Sequence, residues 1–124
     1  MKKNKRVLIV EDDTWLSDNY VRYFDKQGFK TQVVNNAQLA INAIDDFKPK
    51  IVILDFLLPD GNALPLLHEI NSYTDISSTI IILCSNLAKD LSIDDLSAYG
   101  VKKIIDKTTM QPNDLVNAVN GLIE

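Results

Sequence analysis

Two short apolar runs in this chain each end in acids. Val7-Leu8-Ile9-Val10 leads into Glu11-Asp12-Asp13, and Ile51-Val52-Ile53-Leu54 leads into Asp55. A continuous β-branched run bounded by polar residues reads as a strand buried on both faces, as in a parallel sheet. Open α/β sheets bind ligands outside the carboxyl ends of their strands, where the strand order reverses. If the two strands are neighbours, Glu11, Asp12 and Asp55 converge at that place. Two carboxylates about 5 Å apart repel by about 3 kcal/mol at an effective dielectric of about 20. Such a cluster needs a cation, a proton, or both.

Two further residues fall at the same edge. Ser85 follows the run at residues 80–84, and Lys107 follows the run at 101–105. Together the five side chains suit transfer of a phosphoryl group onto a carboxylate. Asp55 is the nucleophile in that reading. Glu11 and Asp12 would hold Mg²⁺, a hard cation that prefers oxygen. Lys107 and the metal neutralise charge on the phosphoryl oxygens, and the Ser85 hydroxyl donates a hydrogen bond to one of them.

The elements that must position these residues follow from periodicity. Apolar runs at 7–10, 29–34, 51–54, 80–84 and 101–105 alternate with segments of helical period, giving β-α five times over. That order implies a parallel sheet with crossover helices. The first helix carries Leu16, Tyr20, Tyr23 and Phe24 and stops at Gly28. The second begins after Asn35-Asn36 and ends before Pro49. The third follows the turn Pro59-Asp60-Gly61-Asn62 and runs to about Ser72. The fourth is expected as one helix over 88–99, stopped by Gly100, and the fifth opens near Pro112.

Composition sets the class. The 124 residues are 46% hydrophobic and 24% charged, which suits one globular domain. A net charge of −4 argues against nucleic acid as a direct partner. The basic N-terminus is followed by only four apolar residues, too few for a signal peptide, and no stretch is long enough to span a membrane. Cys84 is the single cysteine, so a disulfide within the chain and a cysteine metal cage are both excluded. These features suggest a cytoplasmic protein.

With those residues in place, the chain resembles a bacterial response-regulator receiver domain over its whole length, 1–124. The resemblance rests on Val-Leu-Ile-Val-Glu11-Asp12-Asp13, on Asp55-Phe-Leu-Leu-Pro59-Asp60-Gly61, on Ile-Ile-Ile-Leu-Cys-Ser85 and on Lys107, in that order. It implies a flavodoxin-like, doubly wound sheet of five parallel strands in the order 2-1-3-4-5, with five helices. It implies that Asp55 accepts phosphate from a sensor histidine kinase or phosphotransfer protein. The Mg²⁺ ligands would be Glu11, Asp12, Asp55 and the Phe56 carbonyl, with Ser85 as switch hydroxyl and Lys107 as phosphate-pairing lysine. Such a domain is a phosphoacceptor with slow self-hydrolysis, not a turnover enzyme. It acts through an output protein or a fused output domain, and the output face would include Leu91, Tyr99, Ile104 and Val116. The chain ends at its fifth helix, which suits either a stand-alone receiver or one cut from a longer regulator or hybrid kinase.

Several positions depart from the family pattern. Ile104 stands where an aromatic switch residue is frequent. Thr108 follows the lysine where proline with a cis bond is frequent; a trans bond is expected here, since cis before a non-proline costs about 3 kcal/mol. Ala63 replaces a frequent glycine, and Asn86 a frequent alanine. Leu57 and Leu87 occupy the two positions that often contact the attacking water, which implies a long-lived phosphoryl group.

Other readings are weaker. A pseudo-receiver, the same fold used as a binding module without phosphorylation, is motivated by Ile104 and Thr108 but opposed by the complete set of five site residues. A flavodoxin-type electron carrier conflicts with the acidic first loop. A haloacid-dehalogenase-like phosphatase wants an aspartate where Leu57 stands, and no glycine-rich nucleotide motif is present. Asp13 reads as a helix cap, Cys84 as core, His68 as a surface residue, and Lys102-Lys103 as a solvated strand end. Trp15, Tyr20 and Phe24 read as core or a partner face.

Overall fold

The computed structural model describes residues 5–72, 79–111 and 113–123. Five strands form one parallel sheet: β1 (Arg6–Val10), β2 (Lys30–Val34), β3 (Ile51–Leu54), β4 (Ile80–Ser85) and β5 (Val101–Asp106). Their spatial order is β2-β1-β3-β4-β5, as the family resemblance implies. All four residues of β3 are buried, as are Val7 to Val10 of β1, which is why both strands read as unbroken apolar runs. The chain leaves β1 towards β2 and then crosses to β3 on the other side, so the order reverses between β1 and β3.

Alternation along the strands divides the core between the two faces of the sheet. Leu8, Val10, Val52, Leu54, Ile81 and Leu83 pack against α2 (Ala37–Phe47) and α3 (Leu64–Ser72). Val7, Ile9, Ile51, Ile53, Ile82 and Cys84 pack against α1 (Thr14–Lys26) and α5 (Asp114–Ile123). The helix ends follow sequence signals. Asp13 caps α1 by accepting the Leu16 amide at 3.1 Å, and Asn36 caps α2 by accepting the Leu39 amide at 2.9 Å. Gly28, at φ 82°, supplies the left-handed residue after α1, and its amide and that of Phe29 return to Asp25 and Phe24.

Several expectations need correction. The fourth helix is not continuous: a 3₁₀ turn (Ala88–Asp90), a four-residue helix α4 (Ile93–Leu96) and a second 3₁₀ turn (Ser97–Tyr99) replace it. Ser92 is responsible, because its side chain accepts the Asp95 amide and so starts a new helix in mid-segment. A short antiparallel hairpin, Leu57–Leu58 with Gly61–Asn62, precedes α3 where a simple turn is expected. Lys102 and Lys103 are exposed but lie inside β5, next to a register shift that inserts an extra residue opposite Ile81 and Ile82. Val116 is buried on α5, so it belongs to the core and not to an output face. Of the aromatic stripe on α1, Tyr20 and Phe24 are buried whereas Trp15 is 72% exposed. The expected opening of α5 at Pro112 lies outside the described residues.

Candidate phosphoacceptor site

The backbone ladder runs past the strand ends and carries the acids with it. The Glu11 amide donates to the Val34 carbonyl at 3.0 Å, and the Asp55 amide donates to the Val10 carbonyl at 3.1 Å. Because β1 and β3 are neighbours, Glu11, Asp12 and Asp55 meet, each offering a carboxylate oxygen within 4.8 Å of the others. Glu11 is buried, Asp55 half-buried and Asp12 exposed. Ser85 ends β4 with its side chain buried, and Lys107 directly follows β5.

Lys107 ties the two deeper acids together. Its Nζ lies 2.5 Å from Glu11 Oε1 and 3.0 Å from Asp55 Oδ2. Glu11 Oε2 accepts the Asp13 amide at 3.2 Å, and Asp55 Oδ1 accepts the Leu57 amide at 3.3 Å. Among the described residues Asp12 has no such partner. Burial pushes the Glu11 carboxyl above its ordinary range, although Lys107 and the Asp13 amide pull the other way. Burial would lower the Lys107 ammonium, but its hydrogen bonds to Glu11 and Asp55 outweigh that and hold it above the ordinary lysine value.

Among the described residues the potential metal ligands gathered here are three carboxylates, one exposed and two already sharing a lysine. A hard cation that keeps part of its water shell fits such a set, and thiolate- or imidazole-seeking metals do not. The Phe56 carbonyl, expected as a further ligand, accepts the Ala63 amide at 2.8 Å and so has one lone pair committed to the turn. Ser85 Oγ accepts the Leu87 amide at 3.0 Å, which leaves its own proton free to donate. The peptide bond after Lys107 is trans, as Thr108 leads one to expect.

Sequence reasoning missed Asp60. Its two carboxylate oxygens accept the Ala37 and Gln38 amides at 3.1 and 3.2 Å, capping α2 from the hairpin. These bonds to the helix amides hold its carboxyl below the ordinary aspartate range. The partners lie more than twenty residues away in sequence, so no local pattern announces the contact. Tyr20, expected as core or part of a partner face, is buried. Its hydroxyl lies 3.7 Å from Cys84 Sγ, behind the site, and burial pushes the Cys84 thiol up to about 11. His68 is exposed, sharing a 3.2 Å hydrogen bond with the Tyr99 hydroxyl.

A doubly wound parallel sheet of this order, with its acidic pocket at the carboxyl edge, is a flavodoxin-like fold. Residues 7–120 match the response regulator receiver domain, and the chain belongs to that family, the receivers of two-component systems. It is 28% identical over 117 residues to the chemotaxis protein CheY of Thermotoga maritima, covering 94% of this chain and 95% of that protein. It is 28% identical over 120 residues to the ycf29 protein of Pyropia yezoensis, covering 95% of this chain but only 53% of the relative. Among solved structures, a signal receiver domain from Vibrio parahaemolyticus superposes with a TM-score of 0.82 at 29% identity, over 97% of this chain and 90% of that one.

Proposed function

We propose that Asp55 accepts a phosphoryl group from a sensor histidine kinase or phosphotransfer protein, and that the modified domain then changes its binding to an output protein or fused output domain. The observation that carries this reading is the Asp55 carboxylate held between a buried ammonium and two further acids, at the edge where the strand order reverses. An Asp55 oxygen attacks phosphorus while the bond from phosphorus to the donor breaks, and the donor leaves with that electron pair. Lys107 is within hydrogen-bond distance of Asp55 and meets the charge that arrives on the phosphoryl oxygens. Ser85 donates its free proton to one of them. Glu11, Asp12, Asp55 and the second lone pair of the Phe56 carbonyl would hold Mg²⁺, which supplies charge neutralisation during the transfer. The domain is consumed as an acceptor and recycles slowly, so it is not a turnover enzyme.

Ile104 is half-buried and carries no ring to swing. The response therefore runs through Ser85 itself. When the hydroxyl turns to a phosphoryl oxygen, the Leu87 amide that it now accepts must follow or lose its partner, which moves the segment at 86–99. Leu57 and Leu87, both apolar, hold no water at the phosphoryl group, which makes the modified form long-lived. Relatives of matching length and of about twice this length suit both a stand-alone receiver and one fused to an output domain. No helix among the described residues is long and apolar enough to cross a membrane. A cytoplasmic location fits such partners.

Intact mass after incubation with acetyl phosphate tests the reading. A phosphoryl adduct is expected with Mg²⁺, and none with a chelator or in Asp55→Ala. If neither acetyl phosphate nor a histidine kinase labels the natural chain, the proposal is overturned and the fold serves as a binding module.

A further inference from the structure

Lys107 must place one ammonium between two acids, yet it sits in a connection whose next two residues, Thr108 and Thr109, are exposed. On its N-terminal side the strand ladder holds it: Asp106 is in register with Ser85, and the Lys107 amide donates to the Ser85 carbonyl at 3.1 Å. On the other side the next half-buried residue is Met110, three positions on. There the Asp106 carboxylate reaches across Lys107. Its Oδ1 accepts the Thr108 amide at 2.8 Å and the Thr108 hydroxyl at 2.6 Å, and the Thr109 amide donates to the Asp106 carbonyl at 3.3 Å. Further on, Met110 is half-buried against the core, with its sulfur 3.6 Å from Cys84 Sγ.

We infer that Asp106 and Thr108 are positioning residues for phosphoryl transfer, closing a turn around Lys107 that aims its ammonium at Glu11 and Asp55. The turn uses a backbone N–H at residue 108 that a proline would lack. An aspartate side chain that bonds the amide two residues on fixes both peptide planes flanking the residue between them. A lysine has four side-chain torsions, and fixing its backbone removes the largest lever on where Nζ falls. Misplacing a charge-stabilising group by about 1 Å costs up to about a hundredfold in rate.

The inference rests on the phosphoacceptor reading for the reaction served and for its kinetic readout, whereas the hold on Lys107 can be tested without it. With acetyl phosphate and Mg²⁺, Asp106→Ala is expected to slow labelling of Asp55 about tenfold and Thr108→Val by less, while Thr108→Ser, which keeps the hydroxyl, restores the natural rate. In a Lys107→Ala background, Asp106→Ala should change the rate less than about twofold, since the group it positions is gone. A tenfold loss in both backgrounds would mean general damage to the loop and overturn the inference. The same cycle read by thermal unfolding without metal keeps the two readings apart. Coupling between Asp106→Ala and Lys107→Ala supports the clamp even if the chain takes no phosphate, and additivity sinks it.

Discussion

The loop after β3 and the segment after β4 leave the sheet at the same edge, and they are held in opposite ways. From Asp55 to Leu64 the chain is tied at almost every step. The Leu57 amide bonds Asp55, the Phe56 carbonyl accepts the Ala63 amide, Leu57 pairs with Asn62 and Leu58 with Gly61, Asp60 caps α2, and Asn62 accepts the Leu64 amide at 2.9 Å. From Asn86 to Tyr99 only Leu96 is buried, and the helical hydrogen bonding is broken into three short turns. Few buried contacts and short ladders mean low free energies of local opening. The proposed phosphoacceptor sits in the tied loop, and the stretch proposed to report its modification is cheap to move.

The largest effect that sharpens this contrast concerns the lifetime of the phosphoryl group. Leu57 lies in the tied loop at 51% exposure, and Leu87 opens the loose segment. Replacing both, Leu57→Asn with Leu87→Glu, is expected to speed dephosphorylation about tenfold, equivalent to about 1.4 kcal/mol of barrier. Leu57→Asn alone should deliver most of the gain, because a fixed backbone holds a water-binding side chain in place. A phosphoryl half-life unchanged in the double variant, followed by intact mass after the donor is removed, would remove apolarity at these positions as the cause of slow hydrolysis.

Helix caps give a second, smaller effect. Asn36→Ala removes the acceptor at the head of α2, whose Ala40, Ala43 and Ile44 are buried, and should lower global stability by about 1 kcal/mol in denaturant unfolding. Ser92→Ala removes the corresponding acceptor from α4, which buries only Leu96. Its global cost should be a few tenths of a kcal/mol, with the loss appearing instead as faster amide exchange at 93–96. Equal global costs would mean that the two regions unfold as one cooperative unit.

What the sequence disclosed divides along the same line. Strands β1 and β3 were legible because burial on both faces forces unbroken apolar runs, and Glu11, Asp12 and Asp55 were legible because acids at such strand ends have no packing role. The broken fourth helix is harder to see, because Gly100 gives a clear stop and nothing as strong as a proline or glycine interrupts residues 88–99. The signal for the break was present in Ser92 with Asp95 three residues on, a pairing that starts helices. Asp60 and the Asp106–Thr108 turn were not legible for different reasons. The first acts on amides brought near only by tertiary folding, and the second shows its purpose only once Lys107 is seen between Glu11 and Asp55.

Asp60 also provides the test that could break the contrast, because it ties the hairpin to α2 through a charged side chain. Its folded carboxyl titrates below the ordinary 3.8 because the ionised form accepts two amides at a helix N-terminus. A group lowered in this way adds stability that is fully present above 3.8 and is lost as the pH falls through its folded value. Asp60→Asn has no charge to lose and can accept through one oxygen only. The variant should therefore be less stable than the natural chain at neutral pH, with the difference shrinking as the pH falls below 3.8. Thermal unfolding of both proteins across that range reads the effect. Curves that stay parallel would show that the ionised carboxylate contributes nothing to the tie. The loop carrying Asp55 would then owe its order to its own hairpin, without help from α2.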